Sequence, residues 1–461
     1  MNIYRKKSIY FYLPMMLLFS MSTLKAQESD TNSKNEILKQ WYEENVDISL
    51  TTKLRTAFNS DQWSGQKSEV LLKPDLEVTL FDGFDLTAIG RLRSDIFDKL
   101  EPGEPAQPEI SQLSRRVFLT DRVDFELREF YVETSVGSTF LTAGKQQIVW
   151  GNADGLKVLD LLNPQDFREF ILDDFDESRI PLWALNAEIP MGDIVTQLVW
   201  IPDRTYHDIP ESEAIYSFTA PAFRPVLSPE IPVSLGPIKR PERFFADSDI
   251  GIRLSTFWRG WDLTTNYFFH YQDIPVLFQS REISEGSPLI VIQPRYERSH
   301  LIGGTFTNVF GQLTLRGEIG YSTNRFFPTT QSNNNSGLIN TNELSYVLGF
   351  DWFGINETFI STQIFQSWIG DSPKGLLRDK IDTNLSLLLR RDFQNEQLKS
   401  EVLWVHNANQ SDGMIRPKIS YELYDNTNLW TGLDLFYGDN DGLFGQFDGN
   451  DRIVFGVELG I

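Results

Sequence analysis

From residue 46 to the end of the chain, apolar and polar side chains alternate one for one over many short stretches. Val46, Ile48, Leu50, Thr52, Leu54, Thr56 and Phe58 share one face of the first. Trp261, Leu263, Thr265, Tyr267, Phe269 and Tyr271 repeat the pattern, as do Leu344–Trp352 and Leu429–Tyr437. A period of two is the mark of a strand with one apolar and one polar face. Eighteen such segments are expected: 46–58, 68–81, 84–96, 123–135, 139–150, 181–189, 193–202, 248–258, 261–272, 295–309, 312–324, 342–353, 357–369, 381–391, 397–407, 414–424, 428–437 and 451–461, with sixteen as the alternative count. Most have the ten or so residues that a tilted strand needs to cross a bilayer. Ahead of them, residues 31–45 read as a short helix. Ser33 and Glu36 form a capping-box pattern, and Ile37, Leu38 and Trp41 share a face.

The connections carry more information than the strands. After even-numbered segments they are tight, as at Asp82-Gly83, Val136-Gly137-Ser138 and Arg259-Gly260. After most odd-numbered ones they are long: 97–122, 151–180, 203–247, 273–294, 325–341 and 438–450. A soluble sandwich has no reason to sort its loops this way, whereas a meander through a membrane has short turns on one side and long loops on the other. The expected fold is therefore all-β: a single transmembrane antiparallel up-and-down barrel over 46–461, preceded by a periplasmic helical segment, 27–45. Trp258, Trp261, Trp352 and Phe353 sit at strand ends, which suits an interfacial girdle. The last strand alternates to the final residue, Ile461, and offers barrel-assembly machinery something to read. Pro74, Pro294 and Pro417 each lack a ladder donor and predict bulges or strand ends.

Composition adds the compartment. A basic start (Arg5, Lys6, Lys7), an apolar stretch from Ile9 to Ser20 and Leu24-Lys25-Ala26 read as a secretory signal peptide over 1–26. Without it the chain has 38 basic and 64 acidic residues, a net −26. That excess argues against nucleic acid, whose phosphates need basic surface. There is no cysteine, which excludes thiol chemistry and disulfides. The expected location is the outer membrane of a Gram-negative bacterium, among outer-membrane lipids and lipopolysaccharide.

One region is distinctive. Leu127-Arg128-Glu129-Phe130-Tyr131-Val132 is followed by Gly144-Lys145-Gln146-Gln147-Ile148-Val149-Trp150-Gly151. Asp154-Gly155-Leu156, Val158-Leu159-Asp160, Asn163-Pro164 and Arg179-Ile180-Pro181-Leu182-Trp183 complete it. Over about residues 123–190 the chain resembles the bacterial outer-membrane family known as domain of unknown function 1302. The resemblance implies an outer-membrane location, movement of hydrophobic compounds and an efflux-type or lipid-transport partner. It brings no catalytic residues.

Thirty residues between strands, 151–180, is more than a turn requires. Gly151 and Gly155 permit sharp bends, and Leu156, Leu159, Leu161 and Leu162 can bury against a wall. This loop is expected to fold into the lumen, where Arg168, Glu169, Asp173, Asp174, Asp176, Glu177 and Arg179 would set the field at a constriction. Centring the preceding hairpin on Gly137 puts Glu129 opposite Lys145, with a bulge where the alternation slips between Leu127 and Glu129. Arg91, Arg93, Arg253, Arg316, Glu318 and Glu401 read as further lumen residues. His270 and His300 sit at similar heights on adjacent strands, but no carboxylate stands at ligand spacing beside them. No phosphate-cradling loop, dinucleotide fingerprint or nucleophile motif stands out, so no cofactor, metal or enzymatic activity is expected. Asp439–Gly442 and Asp448–Asp451 are oxygen-rich, but they miss calcium-loop spacing and read as turns. The function expected is a porin-like channel for small compounds. A closed-lumen structural or efflux-partner barrel is the alternative, and an outer-membrane lipid hydrolase a more distant one.

Overall fold

The computed structural model describes residues 39–461 apart from 82, 224–230, 285–286, 331–333, 335 and 371–374. The expected signal peptide and the capping-box residues Ser33 and Glu36 lie outside the described residues. Residues 39–45 are helical, with Lys39 Nζ 3.7 Å from Glu43 Oε1 one turn along.

The unit from Ile48 to Ile461 is a closed antiparallel β-barrel. Among the described residues its eighteen strands are β1 (Val46–Asn59), β2 (Gly65–Phe81), β3 (Phe84–Asp95), β4 (Val123–Val136), β5 (Thr139–Gln146), β6 (Leu182–Met191), β7 (Ile194–Ile201), β8 (Asp249–Trp258), β9 (Trp261–Tyr271), β10 (Arg298–Phe310), β11 (Leu313–Pro328), β12 (Leu338–Ile355), β13 (Thr358–Ile369), β14 (Ile381–Phe393), β15 (Leu398–Asn407), β16 (Asp412–Tyr424), β17 (Thr427–Tyr437) and β18 (Arg452–Gly460). Each pairs with the next, and β18 pairs back onto β1 from Asn59↔Arg452 to Thr51↔Gly460. Closure leaves no unpaired strand edge, which hydrocarbon would penalise.

At one end the links from β2 to β3, β4 to β5 and onward hold two to four residues. Aromatic pairs bracket several of them: Phe81 and Phe84 (4.4 Å between ring centroids) and Phe353 and Phe359 (4.9 Å). At the other end the links include 96–122, 147–181 and 202–248. The segment 272–297 holds a hairpin, Val276–Ser284 with Ser287–Arg295, which Val233–Leu235 joins in parallel.

The faces of the sheet are inverted relative to a soluble protein. Ile319, Phe350 and Ile364 are exposed on the outside, while their chain neighbours Glu318, Asp351 and Gln363 are buried inside. An apolar exterior around a polar interior is stable only where the exterior meets lipid. Among the described residues no helix is long and apolar enough to cross a membrane.

Of the expected strand boundaries that move, those of the fifth and tenth strands bear on the loops. The fifth strand ends at Gln146, not at residue 150, and the tenth begins at Arg298, so Pro294 lies in the loop hairpin instead of the wall. At Pro74 the β2–β3 ladder skips from Leu72↔Leu92 to Asp75↔Ile89. At Pro417 the β16–β17 ladder skips from Ile415↔Leu435 to Lys418↔Gly432. Each proline removes an N–H donor.

Candidate functional site: an interior segment between β5 and β6

Gly144 prepares the departure from the wall. Its φ of +139° is open to glycine, and a Cβ there would lie 2.2 Å from Phe130 O. Two residues later the ladder stops. Ile148 N donates to Asn163 Oδ1 at 2.7 Å, and Asn163 Nδ2 donates to Ile180 O at 2.9 Å. One side chain thus clasps both ends of the excursion, which gives the Asn163-Pro164 pair a physical role. Pro164 O closes the clasp by accepting from Ile180 N at 2.8 Å.

The segment has two arms of opposite character. In the first, Ile148, Trp150, Val158, Leu159 and Leu162 are buried against inward side chains of β6 (Leu182, Ala184), β7 (Val199, Ile201), β9 (Phe268), β10 (Leu301), β12 (Val347) and β13 (Phe365). Trp150 Nε1 donates to Gln197 Oε1 at 2.8 Å, and its ring fills the space that a Cβ on Gly251 would take. Polar anchors fix this arm too. Glu318 on β11 accepts from Leu159 N at 3.2 Å and from Asn152 N, and Arg316 pairs with Asp154.

The second arm carries the charges, and its partners come from β1–β4, the 96–122 link, β16 and β18. Glu169 is 2% exposed and lies against Lys67 of β2 and Arg452 of β18, the latter at 2.9 Å. Arg168 reaches Glu69 at 2.8 Å and Glu101 at 3.0 Å. Asp173 meets Arg55 at 2.8 Å. Glu177 meets Lys53 at 3.2 Å and lies 3.9 Å from Arg91. Arg179 is shared between Asp160 (2.8 Å) and the exposed Asp176 (2.7 Å). Asp174 is exposed and precedes the helical turn Phe175–Ser178. Arg128 of β4 donates to the carbonyls of Asp176, Glu177 and Arg179, and Arg416 of β16 to that of Leu172 at 2.8 Å. Burial opposes the charge on Glu177, but Lys53, Arg91 and Lys73 outweigh it and hold the carboxyl down at about 2. At Asp173 burial and the neighbouring Glu169 win over Arg55 and push the carboxyl up.

The expected Glu129–Lys145 pair does not form. The hairpin turns on two residues, Gly137 and Ser138, and not on Gly137 alone, so the unbroken ladder from Val136↔Thr139 sets Lys145 opposite Phe130. The expected bulge lies in the ladder with β3, between Ile89↔Glu129 and Gly90↔Leu127. Its ammonium donates to Leu127 O at 2.7 Å and lies 3.6 Å from Glu126, while Glu129 accepts from Gln147 at 2.9 Å. His270 faces inward, stacked on Phe268, and His300 faces outward on Tyr267, so the two share no site. Among the described residues no group of three or more histidine, aspartate or glutamate side chains is placed to hold a metal. The partners missed in the sequence were Lys53, Arg55, Lys67, Glu69, Arg416 and Arg452. The available signal was charge in phase with the inward face of their strands.

A family model described as "Protein of unknown function (DUF1302)" matches residues 119–414, nearly two thirds of the chain. The chain belongs to this family. The matched range contains the whole interior segment and β4–β15, with the first residues of β16. No curated protein matches the chain. Similar solved structures are outer-membrane proteins. OccK3 (OpdO) of Pseudomonas aeruginosa is 9% identical, covers 92% of this chain and 98% of its own, and has a TM-score of 0.52. OpdK of Pseudomonas aeruginosa, solved with vanillate, gives 11%, 91%, 99% and 0.51. OccAB2 of Acinetobacter baumannii gives 10%, 91%, 98% and 0.51. At such identities the likeness is one of fold.

Proposed function

We propose that this DUF1302 protein is an outer-membrane channel for small compounds, hydrophobic ones among them, with residues 151–180 as its constriction. The observation that carries this reading is the two-armed segment, which touches the wall on both sides of the barrel and leaves charged groups between them. Beside Glu169 and Asp173, a polar space of about 110 Å³ remains, lined also by Arg55, Lys67, Arg416 and Arg452. Rings of opposed charge around a narrow path select what passes. The outward apolar band supports an outer-membrane location among lipids and lipopolysaccharide, and β18 is the strand that assembly machinery would read.

Planar-bilayer recording tests the reading. Wild-type protein gives small discrete current steps, and deletion of 155–178 raises the conductance several-fold and changes the ion selectivity. A deletion pore with unchanged conductance removes the constriction. A barrel silent in both forms supports a second reading, a closed-lumen structural or efflux-partner protein, which the dense packing of the first arm favours.

A further inference from the structure

We infer that the space between the interior segment and residues 206–223 is a binding site for a neutral, one-ring apolar molecule carrying a single hydrogen-bond acceptor. The space measures about 250 Å³. Phe167, Phe170, Phe175, Phe218, Phe223 and Ile171 are among the side chains that line it. Ile274, on the segment after β9, also lines it and is 45% exposed. An apolar cavity of about 150 Å³ stays dry and accepts benzene. The larger space here takes a ring with a few further heavy atoms.

One polar group gives the wall direction. His207 Nδ1 accepts from Gln165 N at 2.8 Å, and Phe167 packs edge-on to the imidazole at 5.1 Å. The neutral ring therefore carries its hydrogen on Nε2, for which the described residues provide no partner. Burial, followed by the charges of Lys157 and Arg325, lowers the His207 pKa to about 3, so the ring stays a neutral donor.

The charges around the cavity exclude an anion. Lys157 lines it, but its ammonium is 2.8 Å from Asp160 and faces the Phe175 ring at 4.6 Å. Asp166 also lines it. Its carboxylate accepts from Arg168 N at 2.9 Å and has no cation at ion-pair distance among the described residues. A carboxylate ligand would meet Asp166 and a lysine already engaged. A ketone, ester or phenol oxygen would meet the His207 N–H.

The site deepens the channel reading and rests on it only for the onward route into the lumen. Full-length protein in lipid nanodiscs is titrated with acetophenone and with benzoate by equilibrium dialysis against empty nanodiscs. The expected result is saturable binding of one acetophenone per barrel, with benzoate at least tenfold weaker. Ile274→Trp weakens acetophenone at least tenfold, and His207→Phe does so by about tenfold. Equal or stronger benzoate binding, linear partitioning of acetophenone without saturation, or an unaffected Ile274→Trp variant overturns the assignment. Should the variants misfold, the two wild-type titrations still decide it. Current recording on the same preparation separates the two readings. Saturable binding by a silent barrel overturns the channel and keeps the site; a conducting pore without saturable binding does the reverse.

Discussion

Glu169 shows how much one interior side chain can hold. Lys67, Arg168 and Arg452 converge on it from two strands and from its own segment. Removing one partner of a buried ion pair leaves the others uncompensated, at a cost of about 3–5 kcal/mol. Glu169→Gln should therefore lower the urea midpoint in bilayers and speed amide exchange across 166–179. It should also shift the pore toward anions, because the wall keeps its cations. Gly144→Ala tests a different kind of constraint, since both its φ and the nearby Phe130 carbonyl oppose a side chain. A loss on the order of 3 kcal/mol is expected, read as a lower yield of folded barrel. Individual charges of the segment were visible in the sequence, but their partners were not. Lys145 is an example: it reads as Glu129's partner on a hairpin centred on Gly137, but the turn takes two residues, the register moves by one, and its ammonium lies nearest Glu126. A single-residue slip is invisible in the alternation of either strand alone.

The interior segment also makes a pH-dependent element. His207 titrates normally near 6.5 but near 3 when folded, so its support for Gln165 N is complete above about pH 6.5 and fades as the pH falls toward 3. Glu177, held down at about 2 from an ordinary 4.5, loses its contribution between those values. Acid should thus loosen the segment in two stages. Amide exchange over 163–179, corrected for intrinsic rate, should rise between pH 7 and 4, and a His207→Gln variant should flatten the upper stage. The sequence showed that this segment was too long for a turn and apolar at its start. It misassigned Gln147–Trp150 to the wall, because alternation continues past Gln146 after the backbone has turned inward. The aromatic cavity was not legible at all. Its wall is drawn from stretches far apart in the chain, and period alone does not bring Phe167 to Phe218.

At the level of the barrel the reading was nearly complete, because period two and the sorting of short and long links are properties of the wall that no distant residue can disguise. The same regularity predicts where charge is forbidden. Ile319, at the middle of β11 on the outer face, should tolerate arginine poorly, with a loss of about 2–4 kcal/mol in bilayer unfolding titrations. Arginine at Gln363, on the inner face of β13, should cost far less. The closing pair of strands has a further consequence, for the order of events during assembly. β1 and β18 are the first and last wall strands of the chain, and the second, through Arg452, grips Glu169. The cylinder closes only where β18 meets β1, and the same strand sets Arg452 against Glu169 of the interior segment. Arg452 makes the last stitch of the seam also a fastening for the cargo. Folding intermediates should hold an open, curved sheet with residues 151–180 already docked, and the slowest step should be the one that joins the two ends.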